Sequence, residues 1–171
     1  MQRRKFIQSS LAGAAGIAAG MNPANAMEKY PPQKEIYEWR EYEMHWGSDQ
    51  SQLETFFKTA LIPAYNKYGV KAIGVFKELS KSEPTKIYLL IPYASIEDFL
   101  SVTAKVKADA DFLKNSEAYN AIKADKPVFN RYITSVMIAF DGWPKLTTPK
   151  GESRIFELRT YEGYSEDALR R

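Results

Sequence analysis

The chain has no cysteine and only one histidine. Without thiols there are no disulfide staples, no thiolate chemistry and no cysteine metal site. A glycine-rich phosphate loop, a Ser–His–Asp order and zinc-ligand spacing are also missing. The formal excess of +3 belongs wholly to the first 26 residues, which hold Arg3, Arg4 and Lys5 and no acid. The remainder carries 21 basic and 21 acidic residues. No electrostatic argument for nucleic acid or an anionic lipid surface survives that balance. A membrane-spanning helix needs roughly 18 strongly apolar residues, and the chain offers no such run.

What is present begins with an address. Gln2-Arg3-Arg4-Lys5 is a basic start with twin arginines, and Leu11 to Ala19 is a short, small-residue apolar stretch. Ala24-Asn25-Ala26 supplies the small residues a signal peptidase accepts, with cleavage after Ala26. Residues 1–26 are therefore expected to be an export signal of the twin-arginine type, and the mature protein to be periplasmic or secreted. Residues 27–35, with Pro31-Pro32, form an extended leader.

A short stretch then occurs twice. Ile36-Tyr37-Glu38-Trp39-Arg40-Glu41-Tyr42-Glu43 returns as Ile155-Phe156-Glu157-Leu158-Arg159-Thr160-Tyr161-Glu162, offset by 119 residues, with five of eight positions identical. Recurrence at one offset marks a repeated structural unit. The first unit is expected to run over 36–141. A Pro/Gly/Thr-rich linker follows over 142–154, and residues 155–171 open a second unit that the chain leaves incomplete.

Hydrophobic periodicity orders the first unit. Ile36 to His45 alternates as a strand. Leu53, Phe56, Phe57, Ala60, Leu61, Ala64, Tyr65 and Tyr68 follow at helical spacing, with Pro63 expected to kink the helix and Gly69 to end it. Strands are expected over Val70–Leu79 and Lys86–Tyr93. Ser95-Ile96-Glu97-Asp98 resembles a capping box opening a long helical stretch, interrupted at Asn115-Ser116. A fourth strand is expected over Arg131–Phe140. This order is the ferredoxin-like βαββαβ arrangement, an α+β fold with an antiparallel sheet and helices on one face. The other face must be closed by a second unit or meet water.

The repeat suggests which strand face does which job. Tyr37/Phe156 and Trp39/Leu158 vary but stay large and apolar, as a helix-covered core permits. Glu38, Arg40 and Tyr42 recur by identity, and charges need partners when buried. They are expected on the opposite side, between two opposed sheets. There they form either a structural network or the wall of a pocket for an anionic or carbonyl-bearing small molecule.

Tyr37 to Tyr42 and Phe156 to Tyr161 resemble the Tyr-Glu-Leu-Arg-x-Tyr opening of NIPSNAP domains. Leu61-Ile62-Pro63-Ala64-Tyr65-Asn66-Lys67-Tyr68-Gly69 is similar to the end of that family's first helix. Phe112 to Tyr119 is similar to its second-helix segment, without the family's more usual aspartate–proline pair and tryptophan. The resemblance implies a dimeric α/β barrel in which two ferredoxin-like units pack sheet to sheet, here in the exported tandem-domain form. It supplies no catalytic residues.

The pocket candidates are thus Glu38, Arg40 and Tyr42, with His45 as a weaker one. His45 could ligate haem or act as a base, but the repeat replaces it with Tyr164. Glu41, Glu43 and His45 share a face without amounting to a metal set, so no metal and no evident cofactor are expected. Lys105, Lys107 and Lys114 read as a solvated helix face. Two function classes follow. One is a small-molecule binder or oxygenase-like enzyme using the cavity between opposed sheets. The other is a non-catalytic interaction module whose Glu–Arg–Tyr face only holds the barrel together. Expected partners are a second unit or second copy of the chain and a small-molecule ligand.

Overall fold

The structure, a computed structural model, describes residues 33–79 and 83–170. The export signal with Ala26, and most of the leader, lie outside the described residues. Strand β1 (Ile36–Met44) runs through the middle of a four-stranded sheet of order β2-β3-β1-β4, where β2 is Gly74–Lys77, β3 is Lys86–Tyr93 and β4 is Phe129–Ile138. All neighbouring strands are antiparallel. With helices between β1 and β2 and between β3 and β4, this is the expected α+β architecture. β2 is shorter than expected. Gly69 at φ +94° reverses the chain and the Val70 N–H turns back to the Tyr65 carbonyl, so pairing begins only at Gly74.

The first helical region comprises α1 (Ser51–Phe56), a π-helical turn (Phe57–Leu61) and α2 (Ile62–Lys67). Its buried stripe Leu53, Phe57, Leu61 and Tyr65 repeats every four residues. On an ideal α-helix each such step overshoots a turn by about 40°. A wider turn removes that drift and holds the stripe against the sheet. It also precedes Pro63, which has no N–H to give to the turn before it.

The second helical region breaks earlier than expected. Helix α3 (Ile96–Ala108) starts where Ser95 Oγ accepts the Asp98 N–H at 3.1 Å. It ends at Asp109, whose extended backbone and side chain cap α4 (Ala110–Asn115). Helix α5 (Glu117–Asn120) follows Ser116. Asp109 Oδ2 also accepts from Lys67 Nζ at 2.6 Å and from the Tyr68 hydroxyl at 2.7 Å, tying this break to the end of α2.

The assignment of the two strand faces is reversed. Glu38, Arg40, Tyr42 and Met44 are buried beneath the helices together with Ile87, Leu89, Ile91 and Tyr93. Tyr37, Trp39, Glu41 and Glu43 lie on the open side, half-buried. There the Trp39 ring stacks on Tyr88 at 5.2 Å and reaches Phe76 at 6.3 Å. A charge can lie under helices when every polar atom has a partner. A tryptophan can lie on an open sheet when its neighbours across the strands are aromatic.

The second copy of the repeat, residues 155–162, forms no strand, because a strand exists only in a ladder and this segment pairs with none among the described residues. It reaches the open face through Phe156, whose ring meets Phe76 edge-on at 5.1 Å. Short helix α6 (Glu166–Arg170) follows, capped by Ser165.

β4 is covered on neither face over most of its length. Tyr132, Thr134 and Val136 point to the helix side, in register with Tyr42, Arg40 and Glu38. The helices stop short of them, leaving a cleft. No helix among the described residues is long and apolar enough to cross a membrane.

Candidate functional site

The cleft encloses about 540 Å³ between β1 and β4 on one side and the helices on the other. That lies within the range of small-molecule sites, roughly 300–1,000 Å³. Its walls are mostly aromatic: Phe56, Phe99, Phe112, Tyr119, Phe129 and Tyr132. Four come from four different helices, α1, α3, α4 and α5, and Phe129 and Tyr132 both come from β4. Phe56 and Tyr119 stack at 4.0 Å and join α1 to α5, while Tyr42 and Tyr132 face each other across β1 and β4 at 5.0 Å.

Polar groups line one side. Arg40 Nε donates to Glu38 Oε1 at 2.6 Å and Nη2 to Oε2 at 3.0 Å, a two-point contact between same-face neighbours. Nη2 also donates to the Tyr65 hydroxyl at 2.7 Å. The Tyr93 hydroxyl donates to Glu38 Oε2 at 2.8 Å and Thr134 Oγ1 to Oε1 at 3.3 Å. Glu38 is 5% exposed and Arg40 9%. Burial works against the Arg40 charge, but the hydrogen-bonded Glu38 carboxylate outweighs it and keeps the guanidinium protonated. Burial likewise lifts Tyr42 and Tyr132 above the ordinary phenol value, with Arg40 opposing in both, and pushes Tyr119 up to about 12. These phenols remain protonated at neutral pH and can donate hydrogen bonds to a bound molecule.

Glu38, Arg40 and Tyr42 thus come together at the cleft, but between sheet and helices instead of between two sheets. His45 ends up elsewhere. It follows β1, half-exposed, its carbonyl accepting the Ser48 N–H at 3.0 Å, and it is not on the cleft wall. Haem held by His45 does not fit this cleft for that reason. Among the described residues no group of three or more His, Asp or Glu side chains could hold a metal ion.

Thr103 and Lys107 of α3 also line the cleft; the sequence points to neither, since Lys107 reads there as part of a solvated helix face. The one available signal concerns Thr103: Phe99, Thr103 and Val106 share the apolar stripe of α3, with Thr103 a hydroxyl among core positions.

No family model and no curated protein matches the chain. Solved structures do. An uncharacterized NIPSNAP-like domain protein from Burkholderia xenovorans is 18% identical, covering 68% of this chain and 94% of its own, with a TM-score of 0.51. A protein from Agrobacterium tumefaciens is 14% identical over 65% of this chain and 99% of its own, with a TM-score of 0.52. A second uncharacterized NIPSNAP domain protein from Burkholderia xenovorans is 12% identical over 64% of this chain and 99% of its own, at 0.51. At these identities the likeness establishes the fold. The chain has the ferredoxin-like α+β fold of NIPSNAP-domain structures.

Proposed function

We propose that the protein binds a flat, largely apolar small molecule in the cleft between the helices and strands β1 and β4. The observation that carries this reading is the cleft itself. About 540 Å³ of space is walled by aromatic rings and bordered by the two-point Glu38–Arg40 pair. An apolar pocket with a few convergent polar groups is the usual form of a ligand site. The enzymatic version of the reading is an oxygenase-like reaction of an aromatic compound in the same cleft. Export by the twin-arginine route, supported by Arg3-Arg4 and Ala24-Asn25-Ala26, places this activity in the periplasm or outside the cell. The recurrence of residues 36–43 at 155–162 supports a NIPSNAP-like tandem arrangement, with a second unit or a second copy closing over the open sheet face.

The test is a titration of the purified protein with N-phenylnaphthylamine, a neutral dye that brightens in apolar surroundings. Val136 lines the cleft on β4 and is half exposed, so Val136→Trp fills the space without crowding the core. Saturable binding is expected, weakened at least about tenfold in the variant, with unchanged circular dichroism and urea midpoint. No saturable binding, or equal affinity in Val136→Trp, overturns the proposal. An absorbance scan of protein purified from its host checks for a carried pigment, and oxygen uptake with electron-rich aromatics checks the enzymatic version.

A further inference from the structure

We infer that the ligand of this cleft is an aromatic anion, held by its carboxylate or equivalent group on Thr103 and Lys107 of α3. This rests on the cleft reading above and adds the charge and polarity of the ligand to it.

Thr103 Oγ1 is buried without a hydrogen-bond partner at the cleft wall. A helix threonine ordinarily returns its hydroxyl to the carbonyl of the preceding turn, and here that bond is not made. A buried hydroxyl without an acceptor is destabilising, and turning the side chain toward a ligand oxygen in the cleft that Thr103 lines would relieve it.

Lys107 stands four residues further on, so helical spacing puts it on the same face as Thr103. It also lines the cleft. Its ammonium makes no salt bridge among the described residues. The acids that come nearest in sequence, Asp109 and Asp111, are both held by Lys67, at 2.6 and 2.9 Å.

Charges on the lining then decide the sign. Arg40 is neutralised by Glu38 in direct contact, and among the described residues no other carboxylate lines the cleft. The remaining charge is the Lys107 cation. Lys107 is exposed while Phe56, Phe99, Phe112, Tyr119 and Phe129 are buried or half-buried, so the anionic end of the ligand sits at the mouth and its ring goes inward. A carboxylate there accepts from the Thr103 hydroxyl and the Lys107 ammonium together, two charge-assisted bonds.

The experiment compares naphthoate with its neutral counterpart naphthamide by calorimetry on the intact chain at low salt. Naphthoate is expected to bind more tightly, with the difference shrinking as salt is added. Lys107→Met should cost naphthoate about fivefold, the scale of a solvent-exposed ion pair, and leave naphthamide unchanged. Thr103→Val keeps shape and burial. It should weaken both carbonyl ligands about tenfold, the scale of one buried hydrogen bond, and leave N-phenylnaphthylamine untouched. Equal affinity for the two naphthalene ligands, or a Lys107→Met effect common to both, overturns the anion assignment while the cleft stands. If neither ligand binds and the dye does not bind either, the cleft reading falls and takes this inference with it.

Discussion

Arg40 and Glu38, two residues apart on one strand face, form a two-point ion pair that α2 seals from above with the Tyr65 hydroxyl. Removing one partner of a buried pair strands the other without its counter-charge. Arg40→Ala is therefore expected to cost about 3–5 kcal/mol in urea unfolding. Tyr65→Phe, which removes the hydroxyl that accepts from Nη2 and neighbours the Tyr93 hydroxyl, should cost about 1–3 kcal/mol. Replacing both members, Glu38→Leu with Arg40→Met, should recover much of the Arg40→Ala loss. Near-native stability of Arg40→Ala alone would show that water reaches the pair and that it is no buried network.

Asp109 makes stability depend on acid. Its carboxyl is held well below the usual carboxylate range by Lys67, by the Phe112 N–H and by the Tyr68 hydroxyl. A depressed folded value stabilises the fold fully above the unfolded value, about 4, and the stabilisation drains away as pH falls below it. Asp109→Asn removes that dependence. The gap in urea midpoint between wild type and Asp109→Asn should be constant near neutrality and close progressively below about pH 4. Parallel curves down to strong acid would sink the assignment.

Self-association through the open face is a third expectation. Met137 lies on that face, opposite Tyr37 in the β1–β4 ladder, and is 38% exposed. A lysine there sets a charge into any sheet-to-sheet contact that includes β4, where desolvation is costly. Sedimentation velocity is expected to show a concentration-dependent larger species for the wild type and a monomer for Met137→Lys. Identical sedimentation of the two proteins would remove this face from consideration.

The element order was legible in the sequence because each element carries its own period. The four-residue spacing from Leu53 to Tyr65 and the apolar run Ile87 to Ile91 belong to a helix and a buried strand wherever they are placed. The burial of Glu38 and Arg40 was not legible, because their partners come from far along the chain. Tyr65, Tyr93 and Thr134 meet them only after α2, β3 and β4 have docked. Read locally, two charges on a strand face point away from the helices, and that local reading inverted the sheet. The repeat did bring Glu38, Arg40 and Tyr42 together as one set. It was silent on Thr103 and Lys107, which lie outside its eight positions and reach the cleft only once α3 has docked against α2 and β3.

The bare strand β4 has a consequence for handling the protein. Among the described residues its outer edge has no neighbour in the sheet, and Tyr132-Ile133-Thr134-Ser135-Val136-Met137-Ile138 contains no charge, proline or glycine. Long, uncharged edge strands of β-formers are templates for pairing between chains, and short segments of this composition stack into cross-β fibrils. Thioflavin fluorescence in concentrated stocks should therefore rise with storage. One charge set into this strand on its open side, as in Met137→Lys, should slow the rise and lengthen the working life of the preparation.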